Sequence, residues 1–389
     1  MPNVILLALE AVVLTLVAYT TVTALFGWPR PQKAKAGDRH RAFRIVVPAH
    51  DEGHVIGGVL ADLAAQQYPA PLVTTWVIAD RSSDGTATVS EAAGAAVDVR
   101  HEGGGGKGAA LGWHLQRHPL EDGEALVVLD ADNRVPPDLL ARFADELDAG
   151  AEALQAYLDV TNPDASILAT AGAVSYWASN RMVQQARRRL GWSADLGGTG
   201  MCVTADGLTR AGGFGESLTE DTDLGVRLAL AGCPVRWLHD VRVADEKPTS
   251  LTATVGQRAR WAAGRRSAAR RHLPALLVGA LRRRSLGLLD LAVRLVQPGR
   301  MLVALLSGIA LVVAWWAEPA WLFPAPVWLA ATCVQLGLPI PFLLRDRVPL
   351  RYVARYPLLV VLAALSLPIR IASRFRKGWY HTRHRGAGA

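Results

Sequence analysis

A membrane-anchored α/β domain is the fold class that the sequence predicts, and three observations carry that prediction. Apolar, β-branched runs alternate with helical patterns from residue 44 to residue 129, the spacing of a parallel, doubly wound sheet. One run, Leu126-Val127-Val128-Leu129, ends in Asp130-Ala131-Asp132. Long apolar segments flank this region, at 3–27 on one side and at about 299–317, 320–344 and 356–373 on the other.

The composition fits a globular domain joined to membrane segments. Apolar residues make up 51% of the chain, with twelve Trp and a net charge of +8. The length accommodates about two or three domains. Cys202, Cys233 and Cys333 form no C-x-x-C pair. Neither a disulfide framework nor a zinc site is therefore expected, which suits a reducing compartment.

Strand 44–48 opens the α/β region, followed by Ala49-His50-Asp51-Glu52-Gly53 and a helix over about 54–66. Val73–Ala79 is the second strand, and Asp84 stands where it can cap a helix over about 86–93. A short strand at Val97–Val99, the run Gly103–Gly108 and a helix over about 109–117 precede the strand that carries Asp130. Further on come a long helical stretch at 165–190, a helix opened by Thr219-Glu220-Asp221-Thr222-Asp223, and a basic helical stretch from Gln257 to Arg271.

Several of these stretches carry chemistry. Asp130 and Asp132 project from one side of an extended chain. Two carboxylates that close repel, and Mg2+ or Mn2+ relieves the repulsion; capping of a turn before Pro136 is the plainer reading. The glycine run with Lys107 suits an anion cradle or a flexible loop, but the P-loop spacing fails because Gly108 follows Lys107. Gly197-Gly198-Thr199-Gly200-Met201-Cys202 lets backbone approach a ligand, or is an ordinary tight turn. The three acids after Thr219 exceed what capping needs, so one can be a general base. Gln257, Arg260 and Trp261 share one helix face. That face can clamp phosphate and stack on a sugar, or lie on anionic lipid.

The membrane layout follows from charge. The 3–27 segment has Glu10 as its only charge and no basic region before it, which reads as an uncleaved span. Arg30, Lys33, Lys35, Arg39, Arg41 and Arg44 follow, so Met1 is expected outside and the next region in the cytoplasm. The organisation predicted is an anchor at 1–28, a catalytic domain at 43–265, interfacial helices at 266–297, membrane helices at 298–374 and a basic tail at 375–389.

Taken in order, these motifs resemble a membrane-embedded family-2 glycosyltransferase of the GT-A fold. By pattern they are similar to the processive synthases of cellulose, chitin, hyaluronan and poly-N-acetylglucosamine. The resemblance covers about 43–265 and the flanking membrane segments. It implies that Pro48, Ala49, Glu52, Asp80 and Asp84 hold the base and ribose of a nucleotide sugar, with Lys107 nearby. It implies that Asp130 and Asp132 bind Mg2+ or Mn2+, with Asp130 and Arg260 at the diphosphate. Gly198, Thr199, Gly200, Cys202, Glu220, Gln257 and Trp261 would border the acceptor, and Asp221 would be the general base. Trp379, Thr382 and His384 are similar to a W-x-x-T-x-[RH] element. Two departures stand out: Asp51 replaces the usual Asn, and no gating-loop motif follows Trp261.

The resemblance implies inverting transfer from a nucleotide sugar, a UDP-sugar first and GDP-mannose second, to a growing polysaccharide at the cytoplasmic membrane face. A lipid or polyprenyl-phosphate acceptor is the alternative, which the short membrane region favours and the Gln257, Arg260 and Trp261 motif argues against. Membrane lipid is an expected partner and nucleic acid is not. A transporter with a nucleotide-binding domain would need charged or broken helices at mid-membrane, and these segments are plain.

Overall fold

The computed structural model describes residues 2–358 apart from 105, 216, 318 and 320. Most of the 356–373 segment, and Trp379, Thr382 and His384, lie outside the described residues.

Helix α1 (Pro2–Leu25) leads through an irregular basic segment to strand β1 (Phe43–Ala49). There follow α2 (Ile56–Ala64), β2 (Val73–Asp80), α3 (Thr86–Ala92), β3 (Ala96–Arg100), α4 (Gly106–Arg117), β4 (Ala125–Val128), α5 (Leu139–Asp148) and β5 (Ala153–Val160). The expected 165–190 helix is α6 (Ile167–Ser179), a wide turn at Asn180–Gln185 and α7 (Ala186–Leu190). The wide turn lets the Asn180 amide reach the Leu158 carbonyl, at 2.7 Å. Next come β6 (Met201–Thr204), α8 (Ala205–Arg210), α9 (Glu220–Leu230) and β7 (Val235–Asp245).

The seven strands form one sheet in the order β3-β2-β1-β4-β6-β5-β7. The strands read over 44–129 are parallel, as expected: β1 pairs with β2 and β4, and β2 with β3. β6 runs antiparallel to both β4 and β5, while β5 and β7 pair in parallel. The reversal has a local cause: the Gly197–Gly200 loop delivers the chain to the carboxyl end of β4, and β6 can only run back from there. Both sheet faces are covered, so β4 is buried throughout. Ile45, Val47, Val127 and Leu154 pack under α2 and α5 on one face. Val46, Ile78, Val128 and Leu111 pack on the other, with Leu224 of α9.

Helix α10 (Leu251–Arg282) is continuous through Pro274, so the expected boundary between residues 265 and 266 falls inside it. The helices α11 (Leu286–Val296), α12 (Arg300–Ala317), α13 (Ala325–Gly337), α14 (Pro339–Arg345) and α15 (Leu350–Ala354) complete the described chain. Among the described residues, three stretches are long and apolar enough to cross a membrane: Val4–Leu25, Arg300–Ala317 and Ala325–Arg345. Val17, Val303, Ala314, Trp328 and Ala331 pack these helices together. The Phe323 N–H donates to the Glu10 carboxylate at 2.8 Å, which gives that buried charge a partner. At the other end of α1, Tyr19 donates to Asp290 of α11. Arg187 and Arg294 close on the same carboxylate at 2.9 Å each.

Candidate active site

The site forms where β1, β2 and β4 end, the edge at which open α/β sheets bind ligands. Pro48 and Ala49 finish β1 beside Ile78 and Ala79. Asp51 follows with φ +55°, a left-handed conformation that Asp and Asn both tolerate. That accounts for Asp standing in place of Asn. Its carboxylate accepts from the Ser83 N–H at 2.7 Å. Asp84 bridges the two loops, accepting from the Gly53 N–H and the Thr86 N–H at 2.9 Å each. Asp80 is held by Arg81 and by the buried Arg100, both at 3.0 Å, so its carboxylate is already engaged.

Asp130 and Asp132 stand where β4 ends. The Asp130 N–H is shared by the Asn133 side chain at 2.9 Å and the Thr199 hydroxyl at 3.0 Å. Asp132 accepts from the Glu246 N–H at 3.2 Å. Lys107, in the first turn of α4, donates to the Asp130 carboxylate and to the Gly198 carbonyl, the latter at 2.8 Å. Gly108 permits this approach: a β-carbon there would lie 2.7 Å from that of Glu220. The glycine run thus brings the start of α4 against the start of α9.

Glu220 and Asp221 open α9 beside Lys107. Burial pushes the Glu220 carboxyl up to about 7, with Asp221 reinforcing it. Burial also raises Asp221, against the Thr222 N–H, Lys107 and Arg260. Asp223 is excluded from proton transfer by its partners, Arg227 at 2.8 Å and His272 of α10 at 2.7 Å. Gln257, Arg260 and Trp261 lie half-buried along α10.

Two expected acceptor contacts are corrected. Cys202 is fully buried in β6, within the core under α2 and α5, so its side chain cannot border an acceptor. The buried Thr199 turns its hydroxyl to Asp130 and Asn133 and supports the D-x-D backbone instead. Gly198 and Gly200 keep their place in the loop with φ of +83° and +62°, conformations that suit glycine.

The carboxylate set fits a hard divalent cation. Burial and the neighbouring Asp130 raise Asp132 to about 6. Asp245 is also raised to about 6 by burial, against Lys247, and its buried Oδ1 has no hydrogen-bond partner among the described residues. Glu52 is pushed up to about 8 by burial and then by Asp132 and Asp130. Crowded oxygen donors of one sign suit Mg2+ or Mn2+.

A family profile described as glycosyltransferase like family 2 matches residues 40–264. The chain belongs to this glycosyltransferase family. The mannosyltransferase PcManGT from Pyrobaculum calidifontis, solved with GDP-Man and Mn2+, superposes with a TM-score of 0.57 at 18% identity, covering 90% of this chain and 98% of that one. That likeness shows the GT-A fold. A beta-monoglucosyldiacylglycerol synthase of Synechocystis sp. is 32% identical over 225 residues, which are 57% of this chain and 47% of that protein. Glucomannan 4-beta-mannosyltransferase 2 of Arabidopsis thaliana is 28% identical over 43% of this chain and 32% of its own length. The chain spans about half the length, 47% to 54%, of the first curated relatives it matches.

Within this glycosyltransferase, several supporting residues escaped sequence reasoning. Gln155 of β5, fully buried, accepts from the Gly197 N–H and donates to the Thr199 carbonyl, both at 2.8 Å. A glutamine inside the run Ala153–Val160 is the signal that pointed to it. Lys247 pairs with Asp245 at 2.6 Å and stands 3.6 Å from the Tyr176 ring centre. Asp245-Glu246-Lys247 after a strand was the available clue.

Proposed function

We propose that this chain is an inverting glycosyltransferase that moves a sugar from a nucleotide-sugar donor to a lipid-borne hydroxyl at the cytoplasmic membrane face. The observation that carries the transferase reading is the convergence of Asp130, Lys107, Glu220 and Asp221 at one edge of the sheet. Asp51, Asp84 and the ends of β1 and β2 form the cleft for the nucleoside. Asp130 and Asp132 would hold a divalent cation, which when bound offsets the charge of the diphosphate leaving group. Arg260 adds positive charge there, and a preorganised donor of this kind contributes on the order of 3 kcal/mol. Asp221 takes the proton of the attacking hydroxyl. Its raised pKa, set by burial, makes it a stronger base than an exposed aspartate.

The lipid acceptor is supported by the relative that makes monoglucosyldiacylglycerol and by the three apolar stretches that bring the site to a bilayer. The second reading is elongation of a glycan, favoured by Gln257, Arg260 and Trp261 on α10. The test incubates full-length protein in sealed vesicles containing diacylglycerol with UDP-glucose, UDP-N-acetylglucosamine or GDP-mannose. One organic-soluble glycolipid, formed only from donor on the cytoplasmic side, is the expected product. A water-soluble polymer would replace the lipid reading with the glycan one.

A further inference from the structure

We propose that Asp98, His114 and His118 form a second metal site, for one transition-metal ion of the Zn2+ class, remote from the D-x-D carboxylates. The three residues come together across the outer strand of the sheet. Asp98 lies on β3, the edge strand, three places from β4 in the sheet. His114 and the nearby His118, one turn on, sit at the end of α4 above it.

The geometry is that of a ligand set. One ligand atom from each residue falls within 4.8 Å of the others. His114 Nδ1 lies 2.7 Å and His118 Nε2 3.2 Å from the same oxygen, Asp98 Oδ2. Ligands about 2.0–2.1 Å from a tetrahedral ion stand roughly 3.3 Å apart; the His118 separation meets this, and the shorter His114 contact, a hydrogen bond, must open to reach it. Small rotations of the two rings admit an ion between them and the carboxylate.

Charge points the same way. Asp98 is a buried carboxylate, and among the described residues its ion-pair partners are these two imidazoles. A buried negative charge is costly unless a cation offsets it, and a bound ion does so. Arg44, which also faces His114, is committed to Glu124 at 2.8 Å and to the His118 carbonyl. Trp76 covers both rings, with centroids 5.1 Å and 4.5 Å away, and a third of the His118 side chain remains exposed. That exposed side gives an ion its entry and a water its coordination position.

The ligand type separates this site from the catalytic one. Two imidazoles and one carboxylate select Zn2+, Co2+ or Ni2+ over Mg2+. A bound ion would pin the end of α4 to the sheet edge, and α4 carries Lys107 at its other end.

Co2+ reports on such a site by its visible absorption. Full-length protein in detergent should develop a band that saturates at one Co2+ per chain and is displaced by Zn2+. His118→Ala should lose the band and bind Co2+ more than about tenfold more weakly. Asp132→Asn should retain it. No band in the wild-type protein, a band that survives in His118→Ala, or one lost in Asp132→Asn would each overturn the proposal. Circular dichroism confirms folding. If His118→Ala is misfolded, Asp98→Asn takes its place and must lose the band.

Discussion

Gly264 of α10 meets Thr219 so closely that a β-carbon on it would lie 2.2 Å from the threonine hydroxyl and 2.3 Å from its methyl. Thr219 immediately precedes Glu220 and Asp221. The helix that carries Gln257, Arg260 and Trp261 therefore rests directly on the start of the helix that carries the proposed base. Gly264→Ala must push the two apart. A displacement near 1 Å costs on the order of a hundredfold in turnover, and that loss is expected with the secondary structure retained. Gly308→Ala is the control, since among the described residues a β-carbon there meets nothing within 4 Å. Equal turnover in the two variants would show that this contact does not position the site.

The assignment of the base rests on Asp221, with Glu220 its neighbour. Both carboxyls are raised by burial, while Asp223 is locked by Arg227 and His272. Asp221→Asn should lower kcat by about two to four orders of magnitude and leave donor binding intact. Glu220→Gln should cost less. The opposite ranking would move the base to Glu220.

Metal dependence follows from the crowded carboxylates. Asp132→Asn should abolish turnover while the protein keeps its fold, as judged by circular dichroism. Full activity in excess chelator would remove this part of the mechanism.

Much of the fold was legible in the sequence. The runs at 44–48, 73–79 and 126–129 are short, apolar and bounded by turn residues, and they emerge as β1, β2 and β4 within a residue or two. Asp130 and Asp132 stand just beyond β4, but the chain turns there, with the Asn133 N–H donating to the Asp130 carbonyl at 3.2 Å, so the alternation expected of an extended chain does not reach them. The direction of β6 was hidden, because its partners β4 and β5 are far from it in the sequence. The role of Thr199 was hidden for the same reason: a hydroxyl in a glycine loop reads as a ligand contact until its partner Asn133 is in place. Gly264 resembles any helical glycine until Thr219 stands opposite.

Glu52 makes the metal-free protein sensitive to pH. Its carboxyl moves from an ordinary 4.5 to about 8, through burial first and Asp132 next. The folded state therefore holds this proton more tightly than the unfolded chain does. The stabilisation is complete below pH 4.5 and is lost as pH rises towards 8. In excess chelator, Tm should fall across that window, and Glu52→Gln should flatten the fall. A Glu52→Gln profile parallel to the wild-type one would show that this carboxyl is not the source.

Trp261 separates the two acceptor readings. Its indole lies half-buried on the helix face shared with Gln257 and Arg260. A glycan that advances after each transfer needs a flat apolar surface that accepts any unit of the chain, and an indole provides one. A lipid hydroxyl needs no such surface, because the bilayer itself presents the acceptor. With a lipid acceptor, Trp261→Ala should alter donor hydrolysis and acceptor transfer by similar factors and weaken binding to vesicles. With a glycan acceptor, loss of stacking worth about 1 kcal/mol should reduce transfer several-fold while hydrolysis of the donor by water is unchanged. Donor binding should be preserved in both cases, since Asp130, Asp132 and Arg260 remain. Measuring hydrolysis and transfer side by side in one Trp261→Ala preparation decides the matter. A selective loss of transfer would overturn the lipid reading and make the α10 face an acceptor platform.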